Sequence, residues 1–167
     1  MTERNVTHAT FVIERTYDAA PARVFGAFAD PVAKARWFEG PDEWVTLERG
    51  MEFRVGGREV NRGGPPGGPV HVFEALYHDI VPNERIITTY EMYMDETRSS
   101  ISIATVELEP AGDGTTLRLT EQGAFLDGLD SVASREQGTR DLLDALGESL
   151  RDEAKAASQV GSGVGAN

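Results

Sequence analysis

Three histidines, two charges on otherwise apolar faces and a scattered aromatic set are the residues of this sequence whose types could do chemistry. His8 lies near the N-terminus, while His71 and His78 stand seven positions apart in one extended run. An odd separation along a strand puts side chains on opposite faces, here about 23 Å apart at ~3.3 Å per residue. The three cannot gather round one metal ion. The chain has no cysteine, which removes thiolate nucleophiles and cysteine-ligated zinc. No metal and no cofactor are therefore expected. His78 and Asp79 are adjacent and so face opposite ways, which denies them the geometry of a base held by its carboxylate.

The two charges are Arg15, which alternates with Phe11, Ile13 and Tyr17, and Glu121, which alternates with Leu117 and Leu119. Strand parity turns both inward, where an unpartnered charge is costly. If the first and last strands are neighbours, an Arg15–Glu121 ion pair would neutralise both, or one of them would meet a polar group of a ligand. A scattered set of aromatic and thioether side chains comprises Trp37, Phe38, Trp44, Phe53, Phe73, Tyr77, Tyr90, Met92, Met94 and Phe125. Parity lets many of them converge: Phe53 shares a face with Val55, Thr88 with Tyr90, Met92 and Met94, and Ser102 with Ala104 and Val106. An apolar pocket with a few hydroxyls is the usual form of a small-molecule site, and a sealed core of the same residues is the competing reading. The candidate cavity set is Arg15, Trp37, Phe38, Phe53, Val55, Phe73, Tyr77, Tyr90, Met92, Ser102, Glu121, Phe125, Leu142 and Leu146.

These residues need elements to position them. Residues 9–17 alternate as a first strand. Pro21 suits the first turn of a helix carrying Val24, Phe25 and Phe28, and Asp30-Pro31 restarts a second short helix ending near Trp37-Phe38. After Gly40-Pro41 the pattern is extended, with strands expected at 43–48, 51–59, 70–80, 85–94, 99–109 and 115–122, separated by turn residues. Residues 61–69, where seven of nine positions are glycine or proline, read as a mobile loop. Ser134 with Gln137 is a capping-box signature for a last helix with Leu142, Leu143, Leu146 and Leu150 on one stripe, running to about Ala157. Gly138 and Gly147 inside it imply close backbone approach or room left for a ligand. The result is an α+β chain: a curved antiparallel seven-stranded sheet wrapped around a long C-terminal helix, with two short helices after the first strand. Residues 1–8 and 158–167 read as loose tails around one domain, 9–157.

Length and charge narrow the function. A chain of 167 residues suits one domain with enough apolar material for a core or a cavity. A formal net charge of -12 repels phosphate backbones and anionic lipid headgroups, so neither nucleic acid nor a membrane surface is an expected partner. The absence of a long apolar run and of a signal-like N-terminus predicts a soluble, cytoplasmic protein.

Several blocks also carry a resemblance. ERTYDAAPARVF at 14–25, Asp30-Pro31 followed by Arg36-Trp37-Phe38, FRVGG at 53–57, YHDIVPNERI at 77–86 and TEQGAFLDG at 120–128 resemble the START-like, Bet v-type superfamily. More narrowly they resemble its subfamily named for a homologue of an activator of the heat-shock chaperone ATPase. The resemblance spans residues 11–150 and implies the helix-grip fold with a cavity between sheet and helix. Members bind lipids, hormones or polyketides, and a few are cyclases, so the resemblance implies binding of a small hydrophobic or amphipathic molecule. Two alternatives stay open. One is a cyclase or hydratase using Tyr77, Tyr90, Arg15 or Glu121. The other is an interaction module for a chaperone, against which the shortness of the chain counts. The superfamily's habits leave room for a homodimer.

Overall fold

In the computed structural model, which describes residues 3–161, the alternating segments become one sheet. Strand β1 (Val6–Tyr17) is followed by helices α1 (Pro21–Ala29) and α2 (Pro31–Ala35). Then come β2 (Val45–Met51), β3 (Arg58–Gly64), β4 (His71–Val81), β5 (Arg85–Met94), β6 (Thr97–Ala111) and β7 (Gly114–Leu126), and finally α3 (Val132–Gly161). The strands pair antiparallel in the order β1-β7-β6-β5-β4-β3-β2. The sheet is thus a meander from β2 to β7 with β1 laid beside β7. It curves around α3, the α+β helix-grip arrangement that the resemblance implied.

Each helix starts as its residues dictate. Pro21 and Pro31 stand at first-turn positions, and the Asp30 carboxylate accepts from Val32 N at 2.9 Å. Trp37 Nε1 donates to Ala27 O at 3.0 Å, which binds the end of α2 back onto α1. Leu143, Leu146 and Leu150 of α3 are buried against Ile13, Leu117 and Leu119 of the sheet, each contributing roughly 2 kcal/mol of apolar burial. The Tyr17 hydroxyl donates to Leu143 O at 2.7 Å, and Arg23 donates to Leu150 O at 3.0 Å, fastening the helix at two levels. Among the described residues no helix is long and apolar enough to cross a membrane.

The structure corrects several expected boundaries. Val6, Thr7 and His8 are not loose: they pair with Leu126, Phe125 and Ala124, and Asn5 N donates to Asp127 Oδ1 at 3.0 Å. At the other end α3 runs past Ala157 to Gly161, while residues 1–2 and 162–167 lie outside the described residues. The expected strand at 51–59 is broken, because Gly56 takes φ +82° and a side chain on Gly57 would place its Cβ 2.1 Å from Glu52 O. Phe53 and Val55 consequently do not share a face: Phe53 packs edge-on to Phe25 and Tyr77, and Val55 is 59% exposed. Strand β3 instead takes in Asn61 to Gly64, four of the nine residues of the expected loop. The helix cap also lies three residues early, with Ser134 N donating to Ser131 Oγ at 3.0 Å and Gln137 bonding Asp141.

The two helical glycines differ in the same way. A Cβ on Gly138 would meet open space, whereas one on Gly147 would lie 3.2 Å from Tyr17 Cε1. Gly147 is therefore the close approach, and Gly138 leaves no room over a ligand because it faces solvent. Urea unfolding should find Gly138→Ala more stable by about 1 kcal/mol and Gly147→Val less stable by about 2 kcal/mol. Equal effects at the two positions would contradict the packing described.

Candidate functional site

Register decides which polar side chains share the concave face. Across the sheet, Ser102 stands opposite both Tyr90 and Gly123, and Tyr90 stands opposite Ala75, itself opposite Glu59. The neighbouring row runs Phe11, Glu121, Ala104, Thr88, Tyr77. A third joins Phe125, Ser100, Met92, Phe73 and Asn61. Directly opposed residues point to one side of a sheet, so all of these face α3 and the two short helices. Between them lies a cavity of about 450 Å³.

Two polar clusters border it. At the inner end the Tyr90 hydroxyl donates to Glu121 Oε1 at 2.6 Å, and Ser102 Oγ donates to Glu121 Oε2 at 3.3 Å. Arg135, in the first turns of α3, sends Nη1 to the Tyr90 oxygen at 3.0 Å and to Glu121 Oε2 at 3.3 Å. Its Nη2 reaches Ser100 Oγ at 2.6 Å and Asp130 Oδ2 at 2.7 Å. The guanidinium also lies over the Tyr90 and Phe125 rings. Burial works against its charge, but Tyr90, Glu121 and Asp130 outweigh that and hold it protonated. Burial first, then the Glu121 charge, pushes the Tyr90 phenol well above its ordinary value.

At the second cluster Lys34 Nζ donates to Glu59 Oε1 at 2.6 Å, and the Tyr77 hydroxyl donates to the same oxygen. Glu59 is 6% exposed. Burial lowers the Lys34 pKa, a drift that the Glu59 carboxylate opposes. Burial and then Glu59 raise the Tyr77 phenol. Aromatic contacts link the clusters: Phe53 meets Tyr77, Phe38 meets Phe73, and Phe73 tilts against Tyr90, with centroids 5.0–5.1 Å apart. At the outer end Trp44 stacks on His71 at 4.4 Å. Gly40 lets the indole lie there, because a Cβ on it would be 2.7 Å from Trp44 Cε3.

The chemistry of this arrangement is that of holding and orienting. Both phenols stay protonated through the neutral range and donate to carboxylates, so neither serves as a base. Among the described residues every buried side-chain nitrogen or oxygen has a hydrogen-bond partner, and no group of three or more His, Asp or Glu could hold a metal ion.

Of the candidate residues, Trp37, Phe38, Phe53, Phe73, Tyr77, Tyr90, Met92, Glu121 and Leu142 line the cavity. Ser102, Phe125 and Leu146 are buried behind that lining. Val55 is exposed, and Arg15 is not at the site. The register sets Arg15 opposite Leu117 and Glu121 opposite Phe11, roughly 13 Å apart along the strand direction. Arg15 Nε bonds Asp144 on α3 at 2.8 Å instead, so the expected Arg15–Glu121 pair does not form. Met94, expected beside Met92, is 45% exposed beyond the irregularity at Met92/Tyr93. Sequence reasoning missed Arg135, Lys34 and Glu59. Arg135 had a signal, since it precedes Leu142 and Leu146 by seven and eleven positions on one helical stripe.

The family model of Activator of Hsp90 ATPase homolog 1-like proteins matches residues 18–151. Among solved structures, an uncharacterised protein from Rhizobium leguminosarum is similar at 46% identity over 90% of this chain and 99% of its own, with a TM-score of 0.86. A protein from Rhizobium loti is 50% identical over 87% of this chain and 99% of its own, with a TM-score of 0.81. One from Chromobacterium violaceum is 29% identical over 83% and 94% of the two chains, with a TM-score of 0.68. No curated protein matches the chain.

Two measurements check the site. Replacing Arg135 with Met leaves Glu121 buried and unpaired, and should cost about 3–5 kcal/mol in urea unfolding; adding Glu121→Gln should recover most of it. Additive losses would break the account of the inner cluster. Tyr17, Tyr77 and Tyr90 have pKa values raised above the ordinary 10.0, each by burial first. The folded state thus keeps protons that the unfolded chain gives up above about pH 10, so the stability these groups contribute is complete below that pH and is lost as the pH rises. In an alkaline titration their tyrosinate absorbance should appear together with loss of near-ultraviolet dichroism. Ionisation of all the tyrosines before unfolding would contradict the burial described.

Proposed function

This chain belongs to the Activator of Hsp90 ATPase homolog 1-like family, and we propose that it binds a small apolar or amphipathic molecule in the cavity between its sheet and α3. The observation that carries the reading is one space of about 450 Å³, within the range of small-molecule sites, that joins aromatic walls to polar groups at both ends. A core of the same residues would close around its rings. Here Tyr90, Glu121 and Arg135 border the space instead. Their bonds to one another fix their positions, which is what orients a ligand without distorting the site. Met92 adds an adaptable wall.

The chain's two tryptophans, Trp37 and Trp44, both line the cavity, so their fluorescence reports occupancy directly. A screen of lipids, aromatic polyketides and sterol-like compounds should find at least one that changes this fluorescence saturably and raises the melting temperature. Ala104 lines the cavity between Thr88 and Glu121. Ala104→Phe should abolish that binding while lowering the melting temperature little, and a variant that binds unchanged would exclude the cavity as the site.

A further inference from the structure

Apolar walls alone do not choose between a fatty acid, an amine and an alcohol; the charges at the inner end do. Arg135 brings one positive charge there, and Glu121 and Asp130 each bring a negative one. The guanidinium is committed: Nη1 serves Tyr90, Glu121 and Ser102, and Nη2 serves Ser100 and Asp130. A carboxylate arriving beside Tyr90 would meet an excess of carboxylate and a cation already shared. It finds no better partner at the second cluster, where Lys34 is neutralised by Glu59. At the outer end Arg49 donates to the carbonyls of Ala35 and Phe38 and shares the lining with Glu39 and Asp42.

We propose that the inner end of the cavity selects an apolar compound bearing an uncharged hydroxyl, an alcohol or a phenol, and disfavours carboxylates; this rests on the cavity being a ligand site. A carboxylate oxygen accepts two hydrogen bonds. Glu121 Oε1, which takes the Tyr90 hydroxyl, therefore accommodates a second donor. A hydroxyl supplies that donor and adds no charge beside a buried carboxylate. A protonated amine would also donate, but would sit against the Arg135 guanidinium.

A matched ten-carbon set separates these cases: decanol, decanoate and decylamine titrated at about pH 8, where the acid is ionised, with tryptophan fluorescence as the readout. Decanol should bind tightest, with decanoate at least ~10-fold weaker. Glu121→Gln removes one negative charge and should narrow that ratio to about 3-fold or less. If that variant fails to fold, Asp130→Asn, at a partly exposed side chain, should narrow it in the same direction. Decanoate or decylamine binding as tightly as decanol, or a ratio that neither variant changes, overturns the inference while leaving the cavity a ligand site. No binding by any of the three, with no hit in the wider screen, overturns the ligand-site reading and the inference together.

Discussion

One buried cation sets the terms for the rest of the molecule. The Arg135 side chain is 9% exposed and can be stabilised there only if its charge and its donors are all met. Its partners come from β5, β6 and β7 and from the turn before α3. The requirement therefore couples strand register to helix position. Slipping any of these strands by one residue would turn its polar side chain to the convex face and deprive the guanidinium of that strand's partner. The cost of burying charge makes the cluster a poor source of net stability and an effective determinant of geometry.

The space beside it follows from the same constraint. A residue with long, fixed polar bonds cannot collapse inward as a leucine would, and the Lys34–Glu59–Tyr77 group does the same elsewhere along the cavity wall. The rings between them meet edge-to-face or tilted, contacts that favour particular orientations over the densest filling. Below this level, toward Leu146 and Leu150, ordinary apolar packing takes over and the core closes. The molecule thus divides into a sealed half, which holds α3 through Tyr17 and Arg23, and a half in which aromatic walls and polar ends enclose volume.

The sequence announced the local half of this design. Alternation in β1 and β7, the prolines opening α1 and α2, and the leucine stripe of α3 are rules of short range, and they led to the right α+β architecture. What stayed hidden depends on long-range register. Parity turned Arg15 and Glu121 inward, but could not tell that Phe11 and not Arg15 stands opposite Glu121. The break at Gly56-Gly57 was masked by apolar residues on both sides, which merged two elements into one strand and concealed Glu59. Arg135 lies between Ser134 and Gln137, the two residues that suggested a capping box, and its place on the stripe of Leu142 and Leu146 marks it as inward-facing. A charge on an apolar helical stripe carries the same information as one on an apolar strand face.

Whether the enclosed volume holds a molecule can be read from native mass spectrometry of the full chain after gentle purification. The expected spectrum contains a species heavier than the bare chain by the mass of one small organic compound, released on collisional activation and absent after solvent extraction. Only the bare chain, both as purified and after incubation with lipids, aromatic polyketides, sterol-like compounds and the ten-carbon set, would contradict it.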